Sequence, residues 1–391
     1  MVQRRLFLGG TVEAGRGVSV QNAAVLVEDG KVREILPAEE AAARFPDVPA
    51  EGGPEIWITP GLIDAHTHLG VYCEGFPEDM EDANDMTDPV LPHLRILDAI
   101  YPGDTGFDDA LAGGVTCVQV LPGSGNVLGG QGAVIKTRRD VTDRMVVRAP
   151  SSMKAALGEN PIRVYKSKGK LPNTRMGNAA LLRNSFVEAL NYRLKREKAA
   201  AKGESEERHL AREALLPVLD GELPLCVHAH RADDIVTALR IAREFDLRIT
   251  LEHCTEGHLI APFLAEQRAR AAVGPTLTGK PKIELRFKTW DTPLALHRAG
   301  VHFCIITDHP VVPIEHLSVC AALAVRAGLP REEALRAVTL SAAEHLDLAD
   351  RLGSLDPGKD ADLALWDGDP LDARSRVVTT VIDGEPVWRR G

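Results

Sequence analysis

The chain has 391 residues, 44% hydrophobic and 26% charged, the balance of a folded, water-facing protein rather than a disordered or membrane-embedded one. Its 46 basic and 56 acidic residues leave a net charge of −10, without the basic footprint that a nucleic-acid or anionic-membrane partner requires. No window approaches the ~20 apolar residues of a membrane span, and Leu6-Phe7-Leu8 behind Arg4-Arg5 is too short for a secretory core.

In chain order, residues 24–27 and 32–36 are predicted strands around the turn Glu28-Asp29-Gly30-Lys31, which makes a hairpin. A helical patch at 38–44 and a Pro/Gly-rich stretch at 46–54 lead through Ile56-Trp57-Ile58 to Thr59-Pro60-Gly61, where a domain boundary is placed. From 59 to about 350, short apolar runs alternate with helical segments. The predicted strands are 115–120, 225–229, 248–252 and 303–307, and the helices 233–245 and 331–338 carry apolar residues on one face. This rhythm argues for βα units with a parallel sheet, a barrel first and a doubly wound open sheet as the alternative. Residues 178–215 read as a solvated helical insertion with mixed charges.

The tail from 353 returns to strands at 361–366 and 377–388, with turns at Asp356-Pro357-Gly358 and Asp383-Gly384. The expected architecture is therefore α/β: a (β/α)8 TIM-like barrel over 59–352 and a small β-sandwich built from both chain ends, 1–58 and 353–391. The six cysteines, Cys73, Cys117, Cys226, Cys254, Cys304 and Cys320, show no C-x-x-C pair. Reduced thiols in a cytoplasmic protein are expected.

The strongest chemical signal is Asp64-Ala65-His66-Thr67-His68. On a strand, residues i and i+2 share a face, so His66 and His68 present their imidazoles together, as a shared metal requires. His228 and His253 stand at or near the ends of predicted strands, where barrel enzymes place catalytic groups. His230 shares a face with His228 and is left open between metal ligand and substrate contact. Asp308 closes the apolar run 303–307 just before His309-Pro310. A carboxylate there is costly without a metal or a proton donor, which makes Asp308 the leading general base, with His309 steadying a neighbouring ligand. The glycines of 123–126 and 129–132 lack dinucleotide-binding spacing and are read as an active-site loop.

With Pro60-Gly61-Leu62-Ile63-Asp64-Ala65-His66-Thr67-His68, His228, His253, Thr307-Asp308, Gly353-Ser354 and Gly358-Lys359-Asp360-Ala361-Asp362-Leu363 in this order, the chain resembles the amidohydrolase superfamily. It is most similar to imidazolonepropionase-related and prolidase-like members. The resemblance implies one or two divalent metals, zinc first, held by His66, His68, His228, His253 and Asp308. It also implies hydrolysis of an amide, peptide-like or cyclic amide C–N bond of a small molecule by metal-activated water. Met153-Lys154-Ala155-Ala156-Leu157-Gly158 is similar to the segment that carries a carboxylated lysine bridge in prolidase-like members, with Glu159 as the rival carboxylate and an ordinary ion-pairing lysine as the alternative.

Asp308 and His253 are the expected catalytic residues. His230, Arg231, Tyr165 and Arg286 are candidates to meet a substrate carboxylate or carbonyl. Arg231 stands where deaminase members usually carry a glutamate, which disfavours deamination, although Asp233 and Asp234 are close. The readings carried beside hydrolysis are deamination or another metal-dependent reaction on the same scaffold, and a non-catalytic assembly protein. The expected partners are a small-molecule substrate and, in a homo-oligomer, further copies of the chain, with no nucleic acid and no membrane.

Overall fold

The structure, a computed structural model, describes residues 2–77 and 80–391. The chain opens with four strands, β1 (Arg4–Glu13), β2 (Ser19–Glu28), β3 (Lys31–Pro37) and β4 (Ala50–Pro60). The middle adds β5 (Leu62–Thr67), β6 (Val115–Val120), β7 (Leu128–Gln131), β8 (Ala133–Lys136), β9 (Val146–Arg148), β10 (Met153–Ala156), β11 (Leu225–Ala229), β12 (Ile249–His253), β13 (Arg270–Val273) and β14 (His302–Ile305). The tail supplies β15 (Leu363–Trp366), β16 (Val377–Ile382) and β17 (Glu385–Arg389).

Both chain ends share one seven-stranded sheet in the order β17-β16-β15-β4-β1-β2-β3. Side chains alternate across it as a pleated strand requires. Val25 and Val27 of β2 join Phe7, Ile58, Leu363, Leu365 and Val381 in one core. Ala24 and Leu26 face the other way, onto Leu36 and onto Ala41 of the helix Ala38–Arg44.

The middle of the chain makes two further sheets, β14-β13-β12-β11-β10-β7 and β5-β6-β8-β9. β10 to β14 run parallel to one another, as do β5 and β6. These strands are buried along nearly their whole length, which is why they read as continuous apolar runs rather than alternations. The helix Ala232–Phe245 lies between β11 and β12 in sequence, the helix Arg331–Ala337 follows β14, and each buries one face. Two elements at the far edges also meet: His68 N donates to His309 O at 2.9 Å, and Thr307 donates from N and Oγ1 to Asp64 Oδ2 at 3.1 and 2.5 Å. The molecule is a mixed α/β protein.

The glycine-rich stretch at 129–132, read as a loop, is largely a strand, and so is most of the Pro/Gly-rich stretch before the expected domain boundary. Residues 50–54 belong to β4, which runs parallel to β1 past a bulge between Gly9 and Thr11. Gly52 sits at φ +109°, and a Cβ there would stand 2.1 Å from Leu8 O, so only a bare backbone fits. The glycines at 129–132 likewise fall in and beside β7, which pairs antiparallel with β10. Gly130 has φ +124° and lies against Leu94 O. Strand preference reflects side-chain packing more than backbone capacity, so glycines that permit close approach imitate a loop in sequence. Between β6 and β10 the chain thus contributes antiparallel strands rather than a parallel βα unit.

The insertion is the 27-residue helix Arg175–Ala201, capped by Thr174, whose side chain accepts from Gly177 N. It buries Leu182, Phe186 and Ala189 and leaves its charged face in solvent. No helix among the described residues is long and apolar enough to cross a membrane, and all six cysteines are free and buried.

The end sheet is tied to the middle of the chain by a buried charge cluster. Lys136 Nζ lies 2.5 Å from Asp362 Oδ2, 3.2 Å from Asp360 Oδ2 and 3.5 Å from Asp383 Oδ1. Burial opposes the ammonium, but the aspartates hold its pKa above the ordinary lysine value. Removing one partner of a buried cluster strands the others, so Lys136→Met should cost about 3–5 kcal/mol of unfolding free energy, read from urea denaturation. A change within the ~0.5 kcal/mol of a surface substitution would contradict this.

Candidate metal centre

The pleat of β5 sends His66 and His68 the same way, with ring centroids 5.6 Å apart. Asp308, in the turn beyond β14 at φ +56°, brings Oδ1 to 3.5 Å from His66 Nε2 and 3.3 Å from His68 Nε2. β11 supplies His228, the residue just past its end is His230, and β12 supplies His253, with ring centroids 4.4 to 4.8 Å apart. His66 and His253 link the two groups at 4.8 Å between rings. Lys154 of β10 is wholly buried, its Nζ 3.0 Å from His66 Nε2.

Each imidazole is anchored through Nδ1. His68 meets Leu121 O and His253 meets Gly274 O, both at 2.8 Å. A carbonyl only accepts, so in both rings Nδ1 carries the proton and Nε2 the lone pair. His66 Nδ1 meets Glu252 Oε2 at 2.8 Å, with the same consequence. His228 Nδ1 meets Ser124 Oγ at 2.9 Å, and His230 Nδ1 meets Thr255 Oγ1 at 2.7 Å. Such contacts fix the ring orientation and tautomer of metal-ligating histidines.

Burial keeps His66, His228, His230 and His253 neutral. It pushes His66 down to about 4 and His253 down to about 3, and it holds His228 and His230 well below the usual imidazole value, helped by their neighbours' charges. Asp308 goes the other way: burial would raise its carboxyl, yet His253, His68 and His66 hold it well below the ordinary range. Glu252 is also kept ionised against burial by hydrogen bonds from His345 and His66.

The donors fit divalent metal. His66, His68 and Asp308 form one group and His228, His230 and His253 a second, with ligand atoms within 4.8 Å of one another in each. Among the described residues, His228 Nε2 and His253 Nε2 are buried without a hydrogen-bond partner. A buried polar atom left so costs about 1–3 kcal/mol, and neutral imidazoles with an ionised carboxylate are the donors a divalent ion takes up.

The structure therefore brings together His66, His68, Lys154, His228, His230, His253 and Asp308. It does not bring in the two arginines. Arg231 pairs with Asp233 at 2.9 and 2.7 Å on an exposed helix start, and the Arg286 guanidinium lies 4.5 Å over the Phe287 ring. Their charges are committed to neighbours in sequence, which a reading based on residue type does not see. Tyr165 is buried, and its hydroxyl donates to Asn126 Oδ1 at 2.5 Å.

Glu159, the rival to Lys154, opens the helix Glu159–Lys166 and donates its backbone N–H to Glu284 Oε2 at 3.1 Å. His309 serves through its backbone, as the carbonyl that accepts from His68 N. Sequence reasoning missed Glu252, Glu284 and His345. Glu252 directly precedes His253, but strand alternation assigns the two to opposite faces. The left-handed φ of His253, +70°, turns the chain out of the pleat there.

The sequence profile of the Amidohydrolase family matches residues 173–388. The chain is 29% identical over 389 residues to the amidohydrolase tasK of Hapsidospora irregularis, covering 92% of this chain but only 39% of that protein. It is 25% identical over 367 residues to the imidazolonepropionase of Paracidovorax citrulli (strain AAC00-1), covering 88% of this chain and 84% of the relative. The crystal structure of an amidohydrolase from Thermotoga maritima MSB8 superposes with a TM-score of 0.95 at 42% identity, over 99% of this chain and all of that one. Metal-ligand geometry, family profile and superposition agree: the chain belongs to the amidohydrolase family.

Proposed function

We propose that the protein is a metal-dependent amidohydrolase that cleaves an amide, peptide-like or cyclic amide C–N bond of a small molecule in the cytoplasm. It would do so on a (β/α)8 barrel spanning 59–352, with a β domain from 1–58 and 353–391. One observation carries this reading: five buried imidazoles, all tied at Nδ1, surround one lysine and one aspartate. Divalent ions, zinc first, would supply Lewis acidity there and bring the pKa of water toward neutrality.

The residues divide the work. His66, His68 and Asp308 would hold one ion, and His228 and His253 would hold the second. Burial lowers the Lys154 ammonium, so its neutral amine can attack carbon dioxide, form an N–C bond, release one proton and leave an anionic carbamate between the two groups. Asp308 would take the proton of the attacking water and deliver it to the leaving nitrogen, while His230 would steady the charge that develops on the substrate carbonyl.

The test is a screen of the metal-loaded protein against N-acyl amino acids, dipeptides and cyclic amides, with imidazolonepropionate included because of the relatives of that name. Cleavage of one class supports the reading. Carbon dioxide release, or ammonia released only from aminopurines and aminopyrimidines, overturns it.

A further inference from the structure

The loop 274–290 leaves β13 at the metal centre, where Gly274 O accepts from His253 Nδ1 at 2.8 Å. In a chain of net charge −10, this loop carries Lys280, Lys282, Arg286 and Lys288 against a single acid, Glu284. Three of the four cations have no carboxylate partner among the described residues. Lys280 Nζ donates to Arg286 O at 2.9 Å, Lys288 Nζ donates to Thr278 O and Gly279 O at 2.6 and 2.7 Å, and the Arg286 guanidinium stacks on Phe287. Carbonyls hold the ammoniums without cancelling their charge, and burial together with Lys280 pushes Lys288 down to about 8. Like charges gathered on one loop raise the local concentration of anions.

The fourth cation, Lys282, reaches toward the histidines. Its Nζ stands 2.8 Å from Glu284 Oε1 and donates to Asn160 Oδ1 at 3.0 Å, with the side chain 17% exposed. The same Glu284 oxygen lies 3.9 Å from His228 Nε2 and 3.8 Å from His230 Nε2. One carboxylate oxygen thus separates the ammonium from both imidazoles. An ammonium has three N–H donors, and after these two anchors the third has no acceptor among the described residues. Arg175 borders the other Glu284 oxygen: its Nε donates to Asp234 Oδ2 at 3.0 Å, and its Nη2 lies 4.0 Å from Glu284 Oε2. The only acid of the loop is therefore flanked by two cations.

We propose that Lys282 receives a carboxylate of the substrate beside the metal centre, so that the protein acts on amides bearing a free carboxylate. This deepens the preceding reading and rests on it. Arg231 and Arg286 have the charge for this task but are turned to neighbours in sequence; Lys282 has both the charge and an unclaimed donor next to His230.

The test runs the amide screen in matched pairs, each N-acyl amino acid, dipeptide and carboxyl-bearing cyclic amide beside its carboxamide. Wild type is compared with Lys282→Gln, Lys282→Arg and Arg231→Gln, with circular dichroism to verify folding. Glutamine removes the charge but keeps an N–H for Glu284. A hydrogen bond between charged groups is worth enough that wild type should favour the carboxylate by roughly 10- to 100-fold in kcat/KM, chiefly through KM. Lys282→Gln should erase that preference, Lys282→Arg should retain most of it, and Arg231→Gln should leave it unchanged.

Equal cleavage of carboxylates and carboxamides by the wild type overturns the proposal and leaves amide hydrolysis standing. A preference that survives in folded Lys282→Gln, or is lost in Arg231→Gln instead, overturns it too. Should Lys282→Gln not fold, Lys282→Arg and the wild-type preference decide. Cleavage of no amide in either form refutes the preceding reading and this one with it.

Discussion

Asp308→Asn should abolish turnover while leaving the fold intact. Asparagine is nearly the same size, keeps one carbonyl oxygen to face His66 and His68, and tolerates the left-handed backbone that Asp308 adopts at φ +56°. It cannot accept a proton from water. General acid–base groups contribute about 10²- to 10⁴-fold to rate, so kcat should fall by at least that range on whichever substrate the screen yields. Metal content must be measured on the same samples. A fully metallated Asp308→Asn protein with near wild-type kcat would show that another group is the base, with His253 next in line. Loss of all metal would make Asp308 chiefly a ligand.

The second large effect belongs to Lys154. Its Nζ lies 3.0 Å from His66 Nε2 in a wholly buried position, and burial lowers its pKa, the condition under which an amine captures carbon dioxide. Lys154→Met should cost the ion at the His228 and His253 group more than the ion at His66, His68 and Asp308, because the latter trio keeps its own carboxylate. Bicarbonate should speed metal reconstitution of the wild type and leave Lys154→Met unaffected. A variant that retains two ions per chain, or reconstitution of the wild type indifferent to bicarbonate, would remove Lys154 from the bridge.

What the sequence disclosed follows the range of each signal. The alternation of β2 and the apolar runs of β6 and β11 are local, and their predicted positions coincide with or fall within the observed strands. His66 and His68 are two residues apart, so the pleat alone places them together. Partners that set tautomers come from afar: Glu252 is 186 residues from His66, and Ser124 is 104 from His228. No spacing rule links such pairs.

The arginines show a different limit of reading by residue type. Arg231 has the chemistry to clamp a substrate carboxylate, but Asp233 already offers one at 2.7 Å. The glycine-rich strand β7 read as a loop because glycine reports backbone clearance, and the clearance is needed by Leu94, a residue remote in sequence.

The central claim is that the buried histidines exist to hold metal, and metal content tests it most directly. Elemental analysis of the purified wild type should show at least roughly one divalent ion per chain, and the double variant His66→Ala/His68→Ala should lose the ion held with Asp308. A folded double variant with undiminished metal content would contradict the account.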